Sequence, residues 1–136
     1  AGLDRLSLSE VGVPLDENDW VPAAAQGVIA LECRAEDAQT TECVAKIDDG
    51  GTRAELEAER ALLAELDGTC HSPVAALCKA EGEGMTLRAV LFSPDGRERI
   101  EGTAQFAVGD HGPVRALAAD LLARATPGIA PHFGGS

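Results

Sequence analysis

Apolar and polar positions change their rhythm near residue 50. Before it the pattern is broken. Residues 1–20 are polar and irregular, with Pro14 and an acidic run of Asp16, Glu17 and Asp19 leading to Pro22, which reads as a loop-rich connection. Gly27–Glu32 (GVIALE) is a short apolar run and predicts a buried strand. Residues 37–47 predict a modest helix, closed by Asp48, Asp49, Gly50 and Gly51. After that break the periods are regular. Thr52 and Glu55 have capping-box spacing, and Leu56, Leu62, Leu63 and Leu66 share a helical face, with Gly68 as the expected terminator. Three extended runs follow, Pro73–Ala80, Met85–Phe92 and Arg97–Phe106. They are separated by the short turns Glu81–Gly84 and Ser93–Gly96, as in an antiparallel meander. Pro113 can open a last helix, in which Val114, Leu117, Ala118, Leu121 and Leu122 keep helical spacing. The Pro- and Gly-rich residues 127–136 read as a loosely held tail.

The order helix, three strands, helix defines an α+β domain over residues 50–136. A three-stranded antiparallel sheet exposes one apolar face, and two amphipathic helices can cover it. Residues 1–49 read as a separate region, with the boundary at Asp48–Gly51.

Composition changes this picture little, whereas charge changes it more. With 45% apolar and 25% charged residues in 136, the chain has the make-up of a globular domain. No apolar run approaches 18 residues, so no membrane-spanning helix is expected. Nor does a basic-then-apolar stretch follow Ala1 to suggest a secretory signal. The formal net charge is −12, and only Trp20, Phe92, Phe106 and Phe133 are aromatic. Phosphate repulsion and the lack of stacking groups argue against nucleic acid. The charge is also lopsided: residues 1–68 carry 16 acidic and 5 basic side chains, residues 69–136 carry 7 and 6. A polycarboxylate ligand would need cations from another stretch of chain.

The four cysteines, Cys33, Cys43, Cys70 and Cys78, contain no Cys-x-x-Cys pair, and His71, His111 and His132 do not complete a ligand set. No metal site is expected, and an intracellular, reduced chain is. Asp67-Gly68-Thr69-Cys70-His71-Ser72-Pro73 places a thiol in a tight loop between helix and sheet. Two readings stand side by side, a half-buried packing cysteine and a nucleophile displayed on a loop. Cys70 follows a helix C-terminus, whereas thiolate enzymes that cycle repeatedly favour the opposite end of the dipole. A Cys-dependent hydrolase or redox enzyme is therefore disfavoured, and a single lasting covalent attachment fits. Gln26-Gly27 after Pro22-Ala23-Ala24-Ala25 is a second candidate, either a close-packed strand entry or a backbone open to a ligand. Arg5 has a guanidinium fork suited to a carboxylate. Glu59-Arg60 reads as serving helix solubility or packing.

Several short motifs, in order and at matching separations, resemble the porphobilinogen deaminase (hydroxymethylbilane synthase) family. They are Gly2-Leu3-Asp4-Arg5-Leu6, Pro22-Ala23-Ala24-Ala25-Gln26-Gly27, Glu32-Cys33-Arg34, Ala58-Glu59-Arg60-Ala61, Leu66-Asp67-Gly68-Thr69-Cys70 with Pro73, and Leu87-Arg88-Ala89 to Pro94-Asp95-Gly96. The likeness covers nearly the whole chain and corresponds to the closing part of the family's polypeptide. It implies that residues 1–49 end a two-domain, periplasmic-binding-protein-like α/β half and that 50–136 form the cofactor-carrying domain. Cys70 would hold a dipyrromethane cofactor through a thioether, Gln26 and Gly27 would line its cleft, and Arg5 would bind acidic substituents of cofactor or substrate. The implied activity is that of a cytoplasmic transferase of tetrapyrrole and heme biosynthesis. It joins four porphobilinogen units, with loss of ammonia, into hydroxymethylbilane. The main catalytic carboxylate would lie in the N-terminal part of the enzyme, in the same or a separate chain, and this chain alone would be inactive. Ala25 and Thr69 stand where the family usually has glycine, each adding a Cβ that narrows φ/ψ space. The alternative from another class is a non-catalytic α+β binding or assembly module with Cys70 as a packing residue.

Overall fold

The computed structural model describes residues 2–82 and 84–134. Helices α1 (Gly2–Arg5) and α2 (Ala38–Ala45) lie in the first region, with a 3₁₀ turn at Ser9–Val11 between them. Helix α3 (Gly50–Glu65), strands β1 (Val74–Glu81), β2 (Gly84–Phe92) and β3 (Arg99–Ala107), and helix α4 (Gly112–Arg124) follow. The strands form one antiparallel sheet in the order β1-β2-β3. The α+β fold class expected from the sequence is therefore correct, including the meander. Of the expected Glu81–Gly84 turn, Glu83 lies outside the described residues.

Register explains the core. On one face the rows run Val74–Leu91–Ile100, Ala76–Ala89–Gly102, Cys78–Leu87–Ala104 and Ala80–Met85–Phe106. Against them pack Ala58, Leu62 and Leu66 of α3 and Val114, Leu117, Ala118 and Leu121 of α4. The row of small residues lets α4 come close: a Cβ built on Gly102 would stand 2.6 Å from Leu117 Cδ1. The opposite face is partly covered by residues 17–22. There Arg88 donates to the Asn18 carbonyl at 2.7 Å and Lys79 pairs with Glu17, while Val90 and Ala75 are buried.

Among the described residues, no strand lies beside the outer edge of β1. Beyond Val74, whose N–H donates to the nearby Ser72 carbonyl at 2.8 Å, its outward N–H groups belong to Ala76, Cys78 and Ala80. They donate to the Pro22 carbonyl at 3.0 Å, Glu59 Oε1 at 2.8 Å and Glu55 Oε1 at 3.0 Å. Glu55 and Glu59, one turn apart on α3, thus supply two of the three acceptors.

Four sequence expectations are corrected. Gly27–Glu32 forms no strand, and Ile29 is 86% exposed; the β1 edge, beside which the preceding residues 22–25 are anchored, already has other acceptors for its outward N–H groups. Helix α3 starts two residues before Thr52, because Asp49 is the cap and its carboxylate accepts the Thr52 N–H at 2.7 Å. Glu55 is thereby released to serve β1. Asp67, not Gly68, takes the left-handed conformation that ends α3. The tail is held as far as Gly134: Ile129 and Phe133 are buried in the core, and the Gly134 N–H donates to the Leu66 carbonyl at 3.0 Å.

Burial divides the chain sharply. None of residues 2–49 is buried, and ten of the eleven exposed large apolar residues fall among them, Val108 being the other. Val28, Ile29, Leu31, Val44, Ile47 and Leu56 line an open groove of about 450 Å³ between residues 27–31, α2 and the start of α3.

Candidate functional site

The cysteine loop is shaped by how α3 ends. The Gly68 N–H donates to the Leu63 carbonyl at 2.8 Å and the Asp67 N–H to the Ala64 carbonyl at 3.2 Å, the two crossed bonds of a Schellman closure. A Cβ on Gly68 would lie 3.3 Å from Leu63 Cδ2, so a small residue belongs there. The next turn is tied by its own hydroxyls. Thr69 N–H donates to Ser72 Oγ at 2.9 Å, His71 N–H to Thr69 Oγ1 at 3.2 Å, and Ser72 N–H to the Thr69 carbonyl at 3.0 Å. Thr69 is not among the residues of positive φ, so its Cβ brings no backbone strain and its hydroxyl adds a bond that glycine lacks. Cys70 stands exposed in the middle of this turn. It does not pack in the core, which removes the packing-cysteine alternative; the buried cysteine is Cys78.

The second loop, residues 22–27, is anchored on the same framework. The Pro22 carbonyl holds Ala76 N–H, and Ala25 N–H donates to Glu59 Oε2 at 2.6 Å. Ala25 has φ 62° and Gly27 φ 87°, both left-handed. The family's usual glycine at the first position would meet this geometry without strain, whereas alanine meets it at some cost. Gln26 is exposed and folds back on its own turn, Oε1 accepting the Ala23 N–H at 3.1 Å. Nothing lies within 4 Å of a Cβ built on Gly27, so its backbone is open to a ligand.

The structure therefore hangs the Cys70 turn and the Gln26-Gly27 loop on one helix and one strand. Arg5 is placed apart from them. It is exposed on α1, whose backbone hydrogen bonds stay within residues 2–11.

Of the two roles read for Glu59, helix solubility and packing, the first is overturned and its bridging role was not foreseen. It is not a solubility residue: it is 7% exposed and bridges Ala25 and Cys78 through its two oxygens. A signal was present, because Glu55, Glu59, Leu62 and Leu66 share one stripe of α3. Burial, then the Glu59 and Glu55 charges, push the Cys78 thiol up to about 12. Among the described residues, no group of three or more His, Cys, Asp or Glu is arranged to hold a metal ion. No helix among them is long and apolar enough to cross a membrane.

Two family models match the chain. Porphobilinogen deaminase, dipyromethane cofactor binding domain, covers residues 1–42, and porphobilinogen deaminase, C-terminal domain, covers residues 54–119. The porphobilinogen deaminase of Sphingopyxis alaskensis is 45% identical over 134 residues, which is 98% of this chain and 42% of that protein. The porphobilinogen deaminase of Xanthomonas oryzae pv. oryzae is 50% identical over 99 residues, 71% of this chain and 33% of that protein. The chain thus spans less than half the length of these curated relatives. With both of its regions matched by domains of one family, the chain belongs to the porphobilinogen deaminase family.

Proposed function

We propose that this chain is the cofactor-carrying portion of a porphobilinogen deaminase, with Cys70 as the attachment point of a dipyrromethane group. One observation carries the reading: in a chain of this family, the only cysteine of the α3–β1 junction is exposed at the centre of a hydrogen-bonded turn. The donor chemistry fits the group, since a thiol can form a sulfur–carbon thioether that survives the hydrolysis releasing the product. The group, when bound, supplies the pyrrole end on which porphobilinogen units are added with loss of ammonia. The chain's own residues anchor and orient. The Thr69–Ser72 turn fixes the direction of Cys70, and the open backbone at Gly27, with Gln26 beside it, offers a wall for the cleft. Arg5 meets a carboxylate of cofactor or substrate once its segment is docked.

Residues 1–49 are the end of the two-domain half, and 50–136 the carrier domain. In support, the first stretch contributes no buried residue and displays most of the exposed apolar side chains, as a domain fragment apart from its packing partner does. The boundary at 49–50 also falls between the two matched stretches. The partner is the remainder of the enzyme, in the same or a separate polypeptide. That remainder brings the catalytic carboxylate and the cations, since a net charge of −12 does not hold acetate and propionate groups by itself. The four free cysteines agree with a reducing cytoplasm.

The test is intact-mass and peptide analysis of the chain produced together with the rest of a deaminase in cells that make porphobilinogen. An adduct confined to Cys70, absent from Cys70→Ala, is the expected result. A bare Cys70 in an assembled, active enzyme overturns the reading.

A further inference from the structure

Glu59 places a carboxylate on the buried stripe of α3, where an apolar residue would be expected. A buried charge is tolerated when donors meet its lone pairs. Here both donors are main-chain groups from different parts of the molecule: Cys78 N–H on the edge strand and Ala25 N–H in the 22–27 loop. One side chain thus pins helix, strand and loop at a single point.

The loop depends on that pin for its conformation. Ala25 is left-handed at φ 62°, a state that an L-residue with a Cβ keeps only when its surroundings over-determine it. Most of the restraints are internal to the loop: Gln26 N–H to the Ala23 carbonyl at 3.1 Å, Ala23 N–H to Gln26 Oε1 at 3.1 Å, and Val28 N–H to the Ala25 carbonyl at 3.3 Å. They can hold the loop's shape but not its place against the sheet. Placement comes from two outside bonds, Pro22 carbonyl to Ala76 and Ala25 N–H to Glu59. Only the second acts on the strained residue, which directly precedes Gln26 and Gly27.

We propose that Glu59 is a positioning residue, which sets the left-handed backbone at Ala25 and thereby aims Gln26 and the Gly27 backbone relative to the Cys70-bearing framework. The proposal rests on the reading that Gln26 and Gly27 line the cleft. Glu59 itself touches neither cofactor nor substrate.

The substitution Glu59→Gln preserves shape, keeps one acceptor and turns an NH₂ toward one of the two N–H donors. In the enzyme assembled from this chain and the rest of the deaminase, it should speed amide exchange at residues 23–28 by about tenfold, the effect of losing one hydrogen bond to a charged group. Exchange at Leu87 and Leu91, in the sheet centre, should rise no more than the loss of global stability read by urea unfolding. KM for porphobilinogen should rise more than kcat falls. Adding Ala25→Gly, which relieves the left-handed strain, should bring KM back toward its starting value. Unchanged exchange and KM in Glu59→Gln overturn the proposal. So does exchange that rises equally in the sheet with no rescue by Ala25→Gly, since Glu59 would then only hold the fold. The deaminase reading is scored separately, by the adduct on wild-type Cys70. An adduct together with a silent Glu59→Gln sinks the positioning role alone. A missing adduct sinks the deaminase reading and, with it, the role proposed for Glu59 in aiming the cleft.

Discussion

Cys78 gives its backbone N–H to the same carboxylate that opposes ionisation of its thiol. Glu59 Oε1 accepts that N–H at 2.8 Å, and burial together with the Glu59 and Glu55 charges raises the thiol from an ordinary 9.0 to about 12. The unfolded chain releases this proton near its ordinary value while the folded chain keeps it. Folding stability should therefore fall as pH rises through the window from 9 to about 12, with a slope approaching roughly 1.4 kcal/mol per pH unit. Urea midpoints at pH 8, 9 and 10 read this slope, and Cys78→Ala should flatten it. Iodoacetamide at pH 8 should label exposed Cys43 and Cys70 first and Cys78 only on unfolding.

Removing the carboxylate altogether is a different experiment. Glu59→Ala leaves the buried Cys78 N–H and the part-buried Ala25 N–H without their acceptor, which should cost about 2–4 kcal/mol in urea unfolding. Glu55→Ala also frees an edge N–H, that of Ala80, but at an exposed position where water can replace the acceptor. Its cost should be roughly 1 kcal/mol or less. Equal losses in the two variants would contradict the burial argument.

The cap of α3 should be visible in acid. The Asp49 carboxyl is held below its ordinary value of 3.8 by the backbone N–H of Thr52 first and the Thr52 hydroxyl second. Its contribution to stability is present above that ordinary value and is lost as pH falls through the lowered one. Asp49→Asn retains an uncharged acceptor, so its thermal midpoint should change less between pH 7 and pH 3 than that of the wild type. Asp49→Ala should lower the midpoint at neutral pH.

Gly102 limits how close α4 can sit. Its added Cβ would fall 2.6 Å from Leu117 Cδ1 and 3.4 Å from Arg124 Nη2, so Gly102→Ala should destabilise by about 1–3 kcal/mol. Combining it with Leu117→Ala should cost less than the sum of the two single changes, because the cavity receives the methyl. Strict additivity in denaturant unfolding would refute the contact.

The division of burial predicts where a protease cuts. Residues 2–49 contain no buried side chain, so brief digestion should cleave among them and leave residues 50–134 intact. Early cuts in β1–β3 would count against the boundary.

The meander and both long helices were legible because their signals are local. Period-two runs between short turns mark β1–β3, and spaced leucines mark α3 and α4. What escaped depends on partners distant in sequence. GVIALE has the composition of a strand, yet a strand needs a free edge, and β1 spends its edge on Pro22, Glu55 and Glu59. Ile129 and Phe133 are single apolar residues among Pro and Gly, with no period to betray that they enter the core. Thr52 looked like a cap because Glu55 follows it at capping-box spacing, whereas Asp49, three residues earlier, is the cap that the geometry selects. Of the candidate site, Cys70, Gln26 and Gly27 stood out through motif order. Glu59 was hidden because a charged side chain within a helix ordinarily faces water.

The sealed margin of β1 has a consequence for the chain's behaviour in a crowded cell. An open margin is a template on which any stray extended peptide can zip. Carboxylates and a proline carbonyl quench such a template without prolonging it, since none of them presents a new row of donors to the next arrival. The molecule can thus leave much greasy surface bare along residues 2–49 while the β1 margin of its three-stranded sheet offers intruders no free row of donors.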